Sequence, residues 1–261
     1  MTILFIADIV GRPGRTAVER GLPRLREQRD VDVTIANCEN AAGGFGVTPE
    51  IARELLDQGI DVLTSGNHVW DKREIYEYLE REPRLLRPAN YPAENPGRGV
   101  FYGRAGSARI AVLNLQGRVF MAPLECPFRM ARRLVREAEE RADVVFVDFH
   151  AEATAEKVAF GWHLDGLVAA VIGTHTHVRT ADARILPGGT AYLTDAGMTG
   201  PADGVIGVRK ELAIERFLRQ TPNRFEVATG STRLQGAFVV VDDAAGKATG
   251  IEPFDLAVEV A

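Results

Sequence analysis

The chain has 261 residues, of which 46% are hydrophobic and 26% charged, and its formal net charge is −5. A chain of this length and composition can build a core without disulfides or a structural metal, and its acidic balance argues against stable binding to duplex nucleic acid. Its two cysteines, Cys38 and Cys126, form no disulfide framework and favour a reducing cytoplasm.

The first segment, MTILFIADIV, is apolar but has no basic residues before it, and Asp8 interrupts it early. This is a poor pattern for a signal peptide. No stretch approaches the roughly 18 consecutive apolar residues of a membrane-spanning helix. The sequence therefore predicts a cytoplasmic protein without a membrane segment.

Short β-branched segments alternate with helical patterns through the first half of the chain. Predicted strands are ILFIAD (3–8), VDVTIANCEN (31–40) and IDVLTSGNH (60–68), and each precedes a predicted helix: RTAVERGLPRLREQ, PEIARELLDQG or KREIYEYLERE. The strands are near-continuous apolar runs, which is typical of parallel sheets covered by helices on both faces. Residues 81–100, rich in Pro, Asn and Gly, predict a long loop.

The second half continues the alternation and then changes character. The predicted elements are strands VFYGR and RIAVLNLQG, helix PFRMARRLVREAEERA, strand DVVFVDFH (143–150), a helix near 153–160, strand LVAAVIGTHTHV (167–178), short strands ARILP and TAYLTD, a glycine-rich loop, a helix near 208–219, and strands GAFVVVDD and GIEPFDLAV. This order predicts an α/β fold, a four-layer α/β/β/α sandwich of mixed, largely parallel sheets, in a single domain over residues 1–261.

Polar side chains collect where the apolar strands end. They are Asp8, Glu39, Asn40, Asn67, His68, His150, His175 and His177, and they include four of the five histidines. Ligands bind beyond the carboxyl ends of strands in open α/β sheets, so these groups should converge on one crevice. Carboxylates, amides and imidazoles at one point indicate a transition-metal site, and two ions about 3.5–4 Å apart would clamp a phosphoryl group and activate water.

These residues, in the motifs NCEN (37–40), GNHVWD (66–71) and GTHTH (173–177), resemble the calcineurin-like metallophosphoesterases, and more closely their bacterial YmdB-type branch. TDAGMTGP (194–201) resembles a further signature of that branch. The sequence departs from the wider superfamily in ways that match the branch: Asp8 is followed by Ile9 and Val10 instead of a spaced histidine, Glu39 replaces an aspartate, and Val69 and Trp70 precede Asp71.

The resemblance implies a role for each residue. Asp8 and His177 would hold one metal, Glu39 would bridge, and Asn67, His150 and His175 would complete the second site. His68 would be the general acid, and Asn40 would lie in or next to the coordination sphere. The ions would be Fe or Mn, with Zn and Mg as alternatives. If the strand ends near Gly173, the following turn separates His175 from His177, and each histidine goes to a different metal.

Other residues have simpler interpretations. GRPGR (11–15) could form a phosphate-binding turn in which Arg12 or Arg15 touches substrate, but a solvated surface is the better interpretation. GGFG (43–46) and AGMTGPADG (196–204) are candidate rim loops. His163 is expected to be structural or at the surface, and Cys38 to be a small buried hydrophobe.

The predicted function is that of a dinuclear metal-dependent phosphodiesterase in which a hydroxide between the ions attacks phosphorus. The resemblance implies a small cyclic nucleotide as partner, a 2′,3′-cyclic monophosphate, and a homo-oligomer. Two alternatives stay open. One is a regulatory or RNA-associated metal-binding protein with little turnover, and the other is a metal-assisted hydrolase of ester or carbon–nitrogen bonds.

Overall fold

A computed structural model describes residues 1–259 of the chain. Within them the strands are β1 Thr2–Ile6, β2 Asp8–Ile9, β3 Val33–Asn37, β4 Val62–Thr64, β5 Val100–Ala105, β6 Ala108–Gln116, β7 Val144–His150, β8 Ala170–Thr174, β9 Arg184–Ile185, β10 Ala191–Leu193, β11 Met198–Pro201, β12 Thr232–Asp242 and β13 Lys247–Val258. The helices are α1 Gly11–Gln28, α2 Pro49–Asp57, α3 Ile75–Arg81, α4 Pro127–Glu139, α5 Thr154–Leu164 and α6 Lys210–Arg219.

The strands form two mixed sheets. The first has the order β2-β11-β12-β1-β3-β4, with β13 also paired to β12, and the second has the order β5-β6-β7-β8-β10-β9. Parallel pairing joins β1 to β3 and β3 to β4 in the first sheet, and β6 to β7, β7 to β8 and β8 to β10 in the second. The candidate site residues lie at or just after the carboxyl ends of several of these parallel strands.

The side chains of β1 show how the layers stack. Ile3 and Phe5 face the second sheet, where the Phe5 and Phe146 ring centroids lie 5.4 Å apart. Leu4 and Ile6 face the opposite way and pack against α1, α2 and α3. Helices α4 and α5 cover the second sheet through a separate apolar cluster. The predicted four-layer α/β/β/α sandwich is confirmed, and the central strands are apolar throughout because both of their faces are buried.

One local prediction was wrong. The glycine-rich stretch 196–204 is not all loop, because Met198–Pro201 form β11, which pairs parallel with β2 and antiparallel with β12. GRPGR, for which a phosphate-binding turn was the less favoured interpretation, forms the first turn of α1, and the backbone N–H of Gly11 donates to the Asn40 carbonyl. No helix among residues 1–259 has the length and apolarity needed to cross a bilayer.

Candidate metal centre

The eight strand-end residues meet at one edge of the sandwich, and we call them the strand-end cluster. Those from the first sheet are Asp8 in β2, Glu39 and Asn40 after β3, and Asn67 and His68 after β4; those from the second are His150 at the end of β7 and His175 and His177 after β8. The cluster thus straddles the junction of the two sheets. Asp8, Glu39 and His150 are almost completely buried.

One half of the cluster centres on the His150 ring. Its Nε2 lies 3.1 Å from Glu39 Oε1, 3.0 Å from Asn67 Oδ1 and 3.0 Å from His175 Nδ1. A single nitrogen cannot donate one proton to three acceptors. Glu39, His150 and His175 each offer a ligand atom within 4.8 Å of the others, as a shared cation requires.

The other half is built on Asp8, Glu39 and His177, whose ligand atoms also lie within 4.8 Å of one another. His177 Nε2 is 3.8 Å from Asp8 Oδ1, and that buried oxygen has no hydrogen-bond partner. The Asn40 amide nitrogen sits 3.1 Å from Glu39 Oε1 and 3.0 Å from His177 Nε2. Glu39 is therefore the residue common to both halves.

The backbone after β8 sends the two neighbouring histidines to different halves. His175 has φ of 102° and His177 has φ of 62°, values that L residues rarely adopt. The His175 N–H donates to Asp8 Oδ2 at 3.3 Å, and the Thr176 N–H donates to Asp195 Oδ2 at 3.2 Å. Strain of this kind concentrates at functional sites, where surrounding contacts hold it in place.

Each histidine of the cluster has a partner on the nitrogen that faces away from its neighbours. His150 Nδ1 is 2.9 Å from Thr174 Oγ1, and that hydroxyl donates to Asp148 at 2.7 Å, so we assign the proton to Nδ1. His175 Nε2 lies 3.0 Å from a Glu152 oxygen, and His177 Nδ1 lies 2.9 Å from the Ile206 carbonyl. Metal-binding histidines are usually held by outer partners of this kind.

Burial and charge perturb the titration of the cluster. Burial would lower the pKa of His150, but the Glu39 and Asp8 carboxylates raise it to about 9. Burial, helped by His150, lowers the pKa of His175 to about 3, and burial also lowers that of His177. Burial raises the pKa of Asp8. Cations bind neutral imidazoles and ionised carboxylates, so His175 and His177 are already in the binding form, whereas a bound metal would displace protons from His150 and Asp8.

Gly66 leaves the space in which the cluster assembles. A Cβ at this position would lie 2.2 Å from His150 Cδ2 and 2.4 Å from Glu39 Oε2. Together with the unpartnered Asp8 oxygen and the converging nitrogen and oxygen ligands, this space fits a transition-metal centre.

His68, also a member of the cluster, has its own orienting group. The ring nitrogen Nδ1 is 2.7 Å from Asp71 Oδ2, and the backbone N–H of His68 donates to Glu39 Oε2 at 3.2 Å. Turn bonds from the Val69 N–H to Gly66 and from the Asp71 N–H to His68 curl the chain so that Asp71 returns to the ring. The two residues between His68 and Asp71 thus give the spacing that this contact needs, which sequence reasoning missed.

A buried ion pair also escaped the sequence analysis. Lys157 Nζ on α5 donates to Asp195 Oδ2 at 2.6 Å and to the Thr174 carbonyl at 2.7 Å. Asp195 in turn accepts a hydrogen bond from the Thr176 N–H. The ion pair therefore bonds to the backbone on both sides of His175. Asp195 lies in TDAGMTGP, but no local pattern pointed to Lys157.

The remaining candidates lie outside the cluster. His163 is exposed on α5 and contacts the Phe128 carbonyl at 3.1 Å. Cys38 is buried in the core between the first sheet and its helices, where burial raises the pKa of its thiol. Arg15 donates to the Ala41 carbonyl and pairs with Glu54, so it is used within the fold.

Comparison with known proteins gives matches over nearly the whole chain. A family model described as YmdB-like protein matches residues 4–254. A 2′,3′-cyclic-nucleotide 2′-phosphodiesterase of Bacillus subtilis is 51% identical over 252 residues, which cover 97% of this chain and 96% of the relative.

Two crystal structures are similar in fold as well as sequence. A hypothetical protein from Thermus thermophilus has a TM-score of 0.92 and 42% identity, covering 98% of this chain and 99% of its own. A phosphatase from Mycoplasma pneumoniae has a TM-score of 0.93 and 33% identity, covering 98% and 93% respectively. The matched region contains the whole strand-end cluster.

Proposed function

Because the chain belongs to the YmdB-like family, we propose that it hydrolyses nucleoside 2′,3′-cyclic monophosphates with the help of two metal ions. It is an enzyme of phosphoester hydrolysis, as its 51% identity to a 2′,3′-cyclic-nucleotide 2′-phosphodiesterase indicates. The single observation that carries the two-metal proposal is the pair of ligand groups that share Glu39.

The donor set supports the choice of metal. Asp8 and His177 would hold one ion, Asn67, His150 and His175 the other, and Glu39 both. Three imidazoles mixed with carboxylate and amide oxygens suit Fe or Mn, with Zn and Mg as alternatives. When bound, the ions supply a water of lowered pKa and positive charge for the phosphate oxygens.

The chain's own residues do the rest of the chemistry. The bond that breaks joins phosphorus to O2′, so O2′ needs a proton as it leaves, and the product is a nucleoside 3′-phosphate. In its doubly protonated form His68 would give that proton from Nε2, while its Nδ1 donates to Asp71 at 2.7 Å. Asn40, whose amide nitrogen lies 3.1 Å from Glu39 Oε1, would hold this carboxylate in position to bind both ions.

The test measures metal content and turnover together. Purified protein should cleave 2′,3′-cyclic nucleotides and lose that activity when a chelator removes its metal. His68→Ala should keep the metal and lose about 10²- to 10⁴-fold in kcat, the usual contribution of a general acid. His163→Ala is the matched control, because this exposed histidine lies outside the cluster and its loss should leave both readings unchanged.

Full activity in His68→Ala would reject His68 as the acid. Metal binding without cleavage of any phosphodiester would favour the regulatory or RNA-associated alternative, and cleavage of p-nitrophenyl esters alone would favour another metal-assisted hydrolase. A homo-oligomer and a cytoplasmic location remain part of the proposal, which light scattering and cell fractionation would test.

A further inference from the structure

A cavity of about 140 Å³ opens directly beside the strand-end cluster. Its lining includes Glu39, His68 and His177 of the cluster together with the aromatic side chains of Phe45 and Phe225. Charged and aromatic side chains, among them proposed metal ligands, therefore share one cavity. A nucleotide combines the matching parts, an anionic phosphate and a flat base.

Phe45 lies in a short loop whose conformation depends on the glycines around it. Gly43, Gly44 and Gly46 have φ of 70°, 98° and 75°, conformations that cost glycine little and other residues much. Phe45 is 36% exposed, and its ring centroid lies 5.0 Å from that of His68 with the planes at 69°. This aromatic ring is accessible next to the proposed acid, whereas the core aromatics are fully covered.

The second aromatic residue, Phe225, lies in a segment that contacts both the Phe45 loop and residues next to the cluster. The segment that carries Phe225 pairs through Val227 with Val208, and a Cβ on Gly44 would lie only 3.2 Å from a Val227 methyl group. Ile206, which also lines the cavity, accepts the hydrogen bond from His177 Nδ1 through its carbonyl. The Phe225 segment is thus connected, through Val208 and the nearby Ile206, to a proposed metal ligand.

We propose that Phe45 and Phe225 form a base-binding subsite that makes the enzyme selective for nucleoside cyclic phosphates over base-free ones. The proposal rests on the function proposed above. Only O2′ and C2′ separate phosphorus from C1′, the carbon that carries the base, so with phosphate at the cluster the base would lie beside the aromatic side chains that line the same cavity. Aromatic rings stack on any base, so the subsite recognises the class of substrate and not one base.

The chemistry at phosphorus is unchanged by this subsite. Water adds across the bond from phosphorus to O2′, its hydroxyl going to phosphorus and a proton to O2′, while the bond from C1′ to the base stays intact. The base contributes binding energy remote from the reacting atoms, which can be used to position the phosphate.

The experiment compares two substrates that differ only in the base. Adenosine 2′,3′-cyclic phosphate and methyl riboside 2,3-cyclic phosphate carry the same cyclic ester, and the ratio of their kcat/KM values measures what the base contributes. Wild-type enzyme should favour the nucleotide. Phe225→Ala should lower the ratio by about 5- to 150-fold, the range that base–aromatic stacking provides, and Phe225→Tyr should restore most of it.

The ratio separates base recognition from general damage, since a folding defect lowers both kcat/KM values together. Phe217→Ala is the matched control, because Phe217 is 73% exposed on α6 and does not line the cavity. A wild-type ratio near one, or a ratio unchanged in Phe225→Ala, would overturn the subsite.

A binding measurement keeps the subsite testable if the proposed function fails. Should the wild type cleave neither substrate, titration calorimetry compares adenosine 3′-phosphate with methyl riboside 3-phosphate. Tighter binding of the adenosine ligand that is lost in Phe225→Ala would support the subsite on its own. Equal affinities would reject it together with the function.

Discussion

Replacing Lys157 with methionine should destabilise the protein and loosen its metal centre at the same time. The ammonium and its Asp195 partner are only 2% and 1% exposed, with 2.6 Å between Nζ and Oδ2. Methionine fills similar space but leaves the carboxylate buried without its countercharge, which costs about 3–5 kcal/mol of unfolding free energy. For a chain of this size that is a fall of roughly 6–20 °C in Tm, measured by calorimetry on metal-free protein.

The expected loss of metal affinity follows from the backbone groups to which Lys157 and Asp195 are bonded. Lys157 holds the Thr174 carbonyl and Asp195 holds the Thr176 N–H, so both neighbours of His175 lose support. Loss of an outer partner of a metal ligand typically weakens metal affinity by about 10- to 100-fold. Competition with a chelator would measure this change.

Two further variants make the result decisive. Lys210→Met changes an exposed lysine on α6 and should leave Tm and metal affinity unchanged. Lys157→Met combined with Asp195→Asn should be more stable than Lys157→Met alone, because it removes the uncompensated charge. A Lys157→Met protein with wild-type Tm and metal affinity would refute the reasoning.

Three other substitutions test separate parts of the site. Glu39→Gln should lose both metals by elemental analysis, since this carboxylate belongs to both ligand groups, and retention of two ions would reject the bridging role. Gly66→Ala should abolish metal binding because its methyl group would lie 2.2 Å from His150 Cδ2; normal metal content would show that the cluster can rearrange. Asp71→Asn should keep its metal and lose about tenfold or more in kcat, as His68 loses its orienting carboxylate. Unchanged kcat in that variant would leave Asp71 without a catalytic role.

The fold and the membership of the cluster could be predicted because both depend on local patterns. Apolar runs of strand length between helical patterns fix the layers, and the residue at which each run ends is visible in the sequence. His150, for example, closes DVVFVDFH at the last position of β7. The rule that parallel strands present their carboxyl ends to one crevice then brings distant residues together.

The supporting contacts could not be predicted because they join residues far apart in sequence. Asp148 lies inside a buried strand, and its carboxylate accepts bonds from Asn37, Thr64 and Thr174 on three other strands. No periodicity marks such a residue as different from its apolar neighbours. Strand β11 was missed for a similar reason: its glycine and proline predict a loop, and only its pairing with β2 and β12 makes it a strand.

The division of the cluster between the two sheets has a mechanical consequence. All of the proposed oxygen ligands, Asp8, Glu39 and Asn67, come from the first sheet, and all of the proposed imidazole ligands come from the second. Neither sheet alone has a complete ligand set, so an ion bound here would be coordinated by both sheets and would link them. Its binding energy is added to the stability of the folded chain. Separation of the two sheets would then release the metal, and metal binding would in turn oppose their separation, in addition to the apolar core between them.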